Sequence, residues 1–316
     1  MTTGRWKLGL SLALFTAVLW GVLPIVLKLL LEKMDAYTIT WYRFLAAAVL
    51  LGVFLAYRQK LPSIVQLKQA NKLVLAIAIF GLSGNYILYV VGLDHVTPET
   101  SQMVIQLAPK FLLMGGLIHF KETFRRIQWA GLFILIAGLL LYFNNRLGDL
   151  IRFDGAYYFG VMIIVVAAFS WASYALAQKQ LLLDFRSDQV LLIIYIAAAI
   201  VILPTVQTSQ IGELNRFEWL LLIFCCLNTL AAYGCFAEAL VHWEASRVSA
   251  VLAVTPLITL ASIWVLARKY PEIVASEKLN TLSIIGASCV VVGSMLAALG
   301  RKRGRDDTPA TPPLME

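Results

Sequence analysis

Gln102, Gln106 and Lys110 recur every fourth residue inside an otherwise apolar run, so a helix would stack them on one face. That polar stripe would extend about 12 Å at 1.5 Å per residue. Pro109 lies between them, has no N–H to donate, and frees the carbonyl four residues back, that of Ile105. A lysine at this depth costs about 2.5–3.5 kcal/mol on insertion scales and therefore faces protein or water. It would repel cations and attract a carboxylate or phosphate, while a freed carbonyl can accept from an ammonium group. A titratable amine in a wet cavity is also a candidate for proton coupling. The bland alternative is a packing patch with a lysine that snorkels to the surface; the sharper one is the floor of a substrate cavity.

Aromatic and amide residues accompany the stripe. Thr16, Trp20 and Pro24 share one helix face; Asn85, Tyr86 and Tyr89 cluster; Trp171, Tyr174 and Gln178 share another face, and Tyr233 follows. An apolar, aromatic pocket with a few placed polar groups is the composition of a small-molecule site. Glu238 is the candidate charge partner for Lys110. Lys28, Arg43 and Lys179 sit near the ends of apolar runs, where long cationic side chains snorkel. Cys225, Cys226, Cys235 and Cys289 show no metal spacing and read as buried small hydrophobes. There is no GxxxxGK[ST], HExxH or GxSxG. Neither a catalytic residue, a metal nor a cofactor is expected.

The elements that would hold these residues follow from composition. Of 316 residues, 60% are hydrophobic and 14% charged, against about a quarter charged in soluble chains. Uncharged runs long enough to cross a bilayer fall near 8–31, 38–57, 73–93, 98–119, 127–144, 157–178, 189–206, 218–240, 246–267 and 279–299. The expectation is an all-α polytopic membrane protein with ten transmembrane helices. Residues 301–316, rich in Pro, Thr and Asp, read as a disordered cytoplasmic tail. The formal charge of +8 belongs to topology and membrane lipids rather than to nucleic acid. With the N-terminus inside, cytoplasmic segments carry twice the Lys and Arg of the outer loops, so both termini are expected in the cytoplasm.

The second half repeats the spacing of the first. Trp20 precedes Lys28 as Trp171 precedes Lys179, and Tyr86 precedes Pro109 as Tyr233 precedes Pro256. Glu122 leads Gly131 and Gly138 as Glu277 leads Gly286 and Gly293. Two units, 1–148 and 149–300, follow from this order. Five spans in each is an odd number, so the second unit would enter the membrane inverted. In such folds the substrate site lies near the midplane between the repeats, around a central cavity.

Residues Ala17-Val18-Leu19-Trp20-Gly21 and Arg43-Phe44-Leu45-Ala46-Ala47-Ala48, the Pro109-to-Glu122 spacing, Gly131, Gly138 and Pro256 together resemble the EamA family of the drug/metabolite transporter superfamily. The resemblance covers about residues 8–299. It implies two five-helix repeats and transport of small organic solutes, often export of amino acids or metabolites.

The function expected is secondary transport of an amino-acid-like anionic or zwitterionic solute by alternating access, in a bacterial inner membrane, as a monomer or a homo-oligomer. Two rivals are weighed. A lipophilic-cation efflux transporter would need a buried carboxylate, where this chain has a buried cation. A membrane-embedded lipid-modifying enzyme would need clustered acid/base or metal-binding groups, and Asp94, His95 and Glu99 lack ligand spacing.

Overall fold

A computed structural model describes residues 5–120, 125–152, 155–273 and 279–299. The expectations resting on Glu122, Glu277 and the tail 301–316 lie outside the described residues. Fourteen α-helices follow in order: α1 (Trp6–Leu31), α2 (Ala36–Tyr57), α3 (Ile64–Gln69), α4 (Lys72–His95), α5 (Pro98–Ile105), α6 (Ala108–Phe120), α7 (Arg126–Tyr142), α8 (Leu147–Ile151), α9 (Gly155–Leu181), α10 (Ser187–Ile202), α11 (Arg216–His242), α12 (Ala245–Leu252), α13 (Thr255–Lys269) and α14 (Thr281–Leu299). No strand occurs among the described residues. Eight segments are long and apolar enough to cross a membrane; the α12–α13 stretch counts as one of them, and α7 is a shorter apolar helix. The chain is an all-helical polytopic membrane protein.

Polar residues start the apolar helices. Asp35 accepts from the N–H groups of Tyr37 and Thr38, Asn71 from Leu73 and Val74, Thr97 from Thr100, and Asn215 from Phe217 and Glu218. Each satisfies donors that a helix N-terminus leaves open. Lys28 reaches sideways at the other end of α4, donating from Nζ to the Leu93 and Asp94 carbonyls at 2.9 and 2.6 Å. It therefore caps a helix C-terminus, where a cation is favoured, as well as lying near a span end.

Two spans are broken rather than kinked. α5 stops at Ile105 and α6 starts at Ala108; α12 stops at Leu252 and α13 starts at Thr255. At the first break Leu107 N–H bonds Val104 O, while Lys110 and Phe111 N–H both bond Leu107 O. Val254, Leu257 and Ile258 make the same three bonds at the second. Pro109 and Pro256 are the second residues of α6 and α13, where a missing N–H does no harm. The continuous stripe expected over Gln102, Gln106 and Lys110 is thus corrected. Gln106 caps the end of α5, and Lys110 belongs to the next helix.

Helices associate in recurring pairs: α4 with α9, α1 with α11, α2 with α10 and α7 with α14. Further contacts join α6 to α9 and α13 to α1. Small residues make the closest of these possible. A Cβ added at Gly138 would lie 2.8 Å from the Gly286 carbonyl oxygen, and one at Gly286 would lie 2.6 Å from that of Gly138. Gly131 and Gly293 approach one another in the same reciprocal way, at 2.6 Å each. Away from these seams Val53, Phe80, Phe133, Phe169 and Leu220 are exposed, as befits faces turned to lipid.

Candidate functional site

The interior polar groups sort by whether the fold already satisfies them. Pro24 lies within α1 and cannot donate to Trp20 O; Gln102 supplies that bond from Nε2 at 2.7 Å. Asn228 donates to Leu19 O at 2.8 Å and Thr259 to Gly21 O at 2.7 Å. Three successive carbonyls of α1 are thereby tied to α11, α5 and α13. Asn85 donates to Ala167 O on α9 at 2.9 Å, and the Tyr89 hydroxyl lies 3.1 Å from that of Ser101. Ser294 donates to Gln106 Oε1 at 3.3 Å. Gln102, Asn85, Tyr89 and Gln106 each hold a fixed partner.

Lys110 holds none. Its side chain is 4% exposed, and among the described residues it makes neither a hydrogen bond nor an ion pair. Glu238 is elsewhere engaged: it pairs with His242 at 3.1 Å, one turn on along α11, with its side chain 58% exposed. The expected pairing of Lys110 with Glu238 is not formed. The Ile105 carbonyl also lacks a donor among the described residues. At the equivalent point of the second break, Thr255 Oγ1 donates to Leu252 O at 2.6 Å; Ala108 has no hydroxyl to do likewise.

The aromatic candidates form one connected group. Tyr86 and Tyr233 stack with ring centres 6.5 Å apart. Tyr233 meets Trp20 edge-on at 5.5 Å, and Trp20 meets Phe236 at 5.8 Å. Trp171 and Tyr174 pack on the same hydrophobic cluster. Sequence reasoning missed the cation within this group. Arg43, expected to snorkel, is 3% exposed. Its guanidinium carbon sits 4.6 Å from the centre of the Tyr86 ring, and its Nε donates to Thr229 Oγ1 at 3.1 Å. Two turns of α2 separate it from the helix start, too far for its head to regain the surface.

Comparison with known proteins adds to this geometry. The family model of the EamA-like transporter family matches twice, over residues 7–144 and 158–299. An uncharacterized transporter of Haemophilus influenzae is 41% identical over 93% of this chain and 96% of its own length. An uncharacterized inner membrane transporter, YhbE, of Escherichia coli K12 is 39% identical over 93% and 92%. A probable amino-acid metabolite efflux pump of the same strain is 24% identical over 92% and 94%. A protein crystal structure at 18% identity shares the fold, with a TM-score of 0.61 over 93% of this chain and 99% of that one.

Proposed function

Since the chain belongs to the EamA-like transporter family and is a membrane transporter of that type, we propose that it exports a small amino-acid-like acid by alternating access. The observation that carries this reading is Lys110, buried with no counter-ion among the described residues. A cation held out of water with no partner is costly, and a transient anionic cargo would supply the missing charge. The ammonium of a zwitterion would take the Ile105 carbonyl. The efflux pump at 24% identity carries amino-acid metabolites in its description, which agrees with such a cargo. Comparing internal and external metabolites in cells lacking and overproducing the protein tests this. An acid or zwitterion should accumulate inside when the protein is missing and outside when it is abundant. No change in any acidic or zwitterionic metabolite would sink the reading.

The architecture that goes with it is two inverted five-helix repeats, with the α5–α6 pair and α7 completing ten spans in a bacterial inner membrane. Several features support this. The family model matches each half, the two breaks share their bonding pattern, and each principal helix contact has a counterpart when α1, α2, α4, α6 and α7 are exchanged for α9, α10, α11, α13 and α14. Tyr86 and Tyr233, at corresponding positions, face each other, as residues beside a twofold axis would. Both termini and the loop 58–72 lie in the cytoplasm in this reading. Single cysteines at 270–273 should then react with an impermeant thiol reagent in intact cells, whereas labelling within 58–72 would invert the topology.

Ala108→Thr offers a narrower test. The new hydroxyl should cap Ile105 O as Thr255 caps Leu252 O, removing the ammonium's acceptor. A hydrogen bond to a charged group contributes about 1.5–3 kcal/mol, so amino-acid transport should fall roughly ten- to a hundredfold. The corresponding acid without its amino group should be carried as before. Equal loss of both would show that the carbonyl does not select the ammonium.

A further inference from the structure

Arg43 raises a separate question, because no acidic side chain among the described residues neutralises it. Of its five N–H donors only Nε is used, on Thr229, and no acidic side chain pairs with it among the described residues. Its terminal nitrogens have no hydrogen-bond partner among the described residues. The groups around them are hydroxyls, which can both donate and accept. The Tyr86 and Tyr233 hydroxyls bond one another, and that of Tyr233 also bonds the Trp171 side chain. Tyr195 belongs to the same cluster, and its hydroxyl is enclosed with no hydrogen-bond partner among the described residues. The unused guanidinium N–H groups and the Tyr195 hydroxyl leave this region under-satisfied. Were Arg43 only a strut on Tyr86 and Thr229, an uncharged residue would do the same work at less cost.

We propose that Arg43 is the centre of a second anion subsite, one that takes a carboxylate between its terminal nitrogens and the neighbouring tyrosine hydroxyls. The planar guanidinium, anchored through Nε and stacked on Tyr86, presents a fixed fork that matches two carboxylate oxygens. The subsite rests on the reading of an acid-bearing cargo but is independent of Lys110. It adds that the protein can hold an acid group at two places, one on α6 and one between α2, α4 and α11.

The test uses the full-length protein in lipid nanodiscs, with acetate and chloride as probes at constant ionic strength. The readout is the saturable rise in melting temperature. Lys110→Met should still respond to acetate, and adding Arg43→Gln to it should weaken that response at least tenfold in concentration. Arg43→Lys keeps the charge without the fork and should fall between; if the glutamine variant does not fold, an unchanged affinity in the lysine variant overturns the subsite. So does an acetate response that depends on Lys110 but not on Arg43, an outcome that leaves the proposed function standing. Chloride acting as well as acetate would make this an inorganic-anion site and refute the carboxylate assignment. No response to either probe in the parent protein would count against both readings.

Discussion

Replacing Lys110 with methionine is expected to abolish transport of the acidic solute while the protein still inserts normally. The two side chains are similar in length, and methionine removes a cost of about 2.5–3.5 kcal/mol for a lysine at bilayer depth. The variant should therefore be at least as well inserted as the parent, and lost transport cannot be assigned to lost protein. What it loses is the one unpaired ammonium beside the α5–α6 break. A charge-assisted bond contributes about 1.5–3 kcal/mol, so solute affinity should fall at least tenfold and turnover with it. Lys110→Arg separates two roles. Arginine keeps the positive charge but does not give up its proton. Activity retained only in the arginine variant means that Lys110 pairs with the solute's acid group. Activity lost in both variants means that the proton, or the compact shape of the ammonium, is needed. Counterflow of labelled amino acid in proteoliposomes measures all three proteins. Parent-level transport by the methionine variant would remove Lys110 from the mechanism.

How much of this was legible in the residues differs from part to part. Apolar runs announce helices in lipid because each span must satisfy its own backbone, and the eight spanning segments fall where those runs lie. The prolines announced disturbance but not its form. Whether Pro109 kinks or breaks depends on the bonds the neighbouring residues find instead, and these are made at Leu107. Pairings across helices are less visible still, because rotation about each helix axis decides them. The i, i+4 pair of Glu238 with His242 was available from spacing alone, whereas any partner for Lys110 was not. Arg43 was misread from its place near the start of a run, although one signal was present. Arg43 and Lys110 are the two basic residues that a topological count of charges assigns to neither side of the membrane. Both turn out to be buried.

Gly286→Leu is expected to be the most damaging single change to the fold. At Gly286 an added Cβ meets the backbone nitrogen of Tyr142, the Gly138 oxygen at 2.6 Å and the Leu141 carbonyl carbon at 2.8 Å. All three are main-chain atoms of α7 or its capping turn, so no side chain can rotate away to make room. Helix association in lipid depends on such close approach, since lipid tails are as apolar as the residues they would replace. Overpacking costs about 1–3 kcal/mol when side chains can adjust, and a backbone clash belongs at or above the upper end. A fall in melting temperature on the order of 10 °C follows from that range. The control is Gly234→Leu on α11, where a Cβ would meet nothing within 4 Å. Fluorescence-detected gel filtration of the two variants after graded heating makes the comparison. Gly286→Leu should lose its monodisperse peak well before the parent, and Gly234→Leu should track it. If both melt with the parent, α7 and α14 do not pack at the distance described. If both fall together, bulk at any helix glycine is harmful, and the reciprocal contact of Gly138 with Gly286 has no special part in holding the two helices.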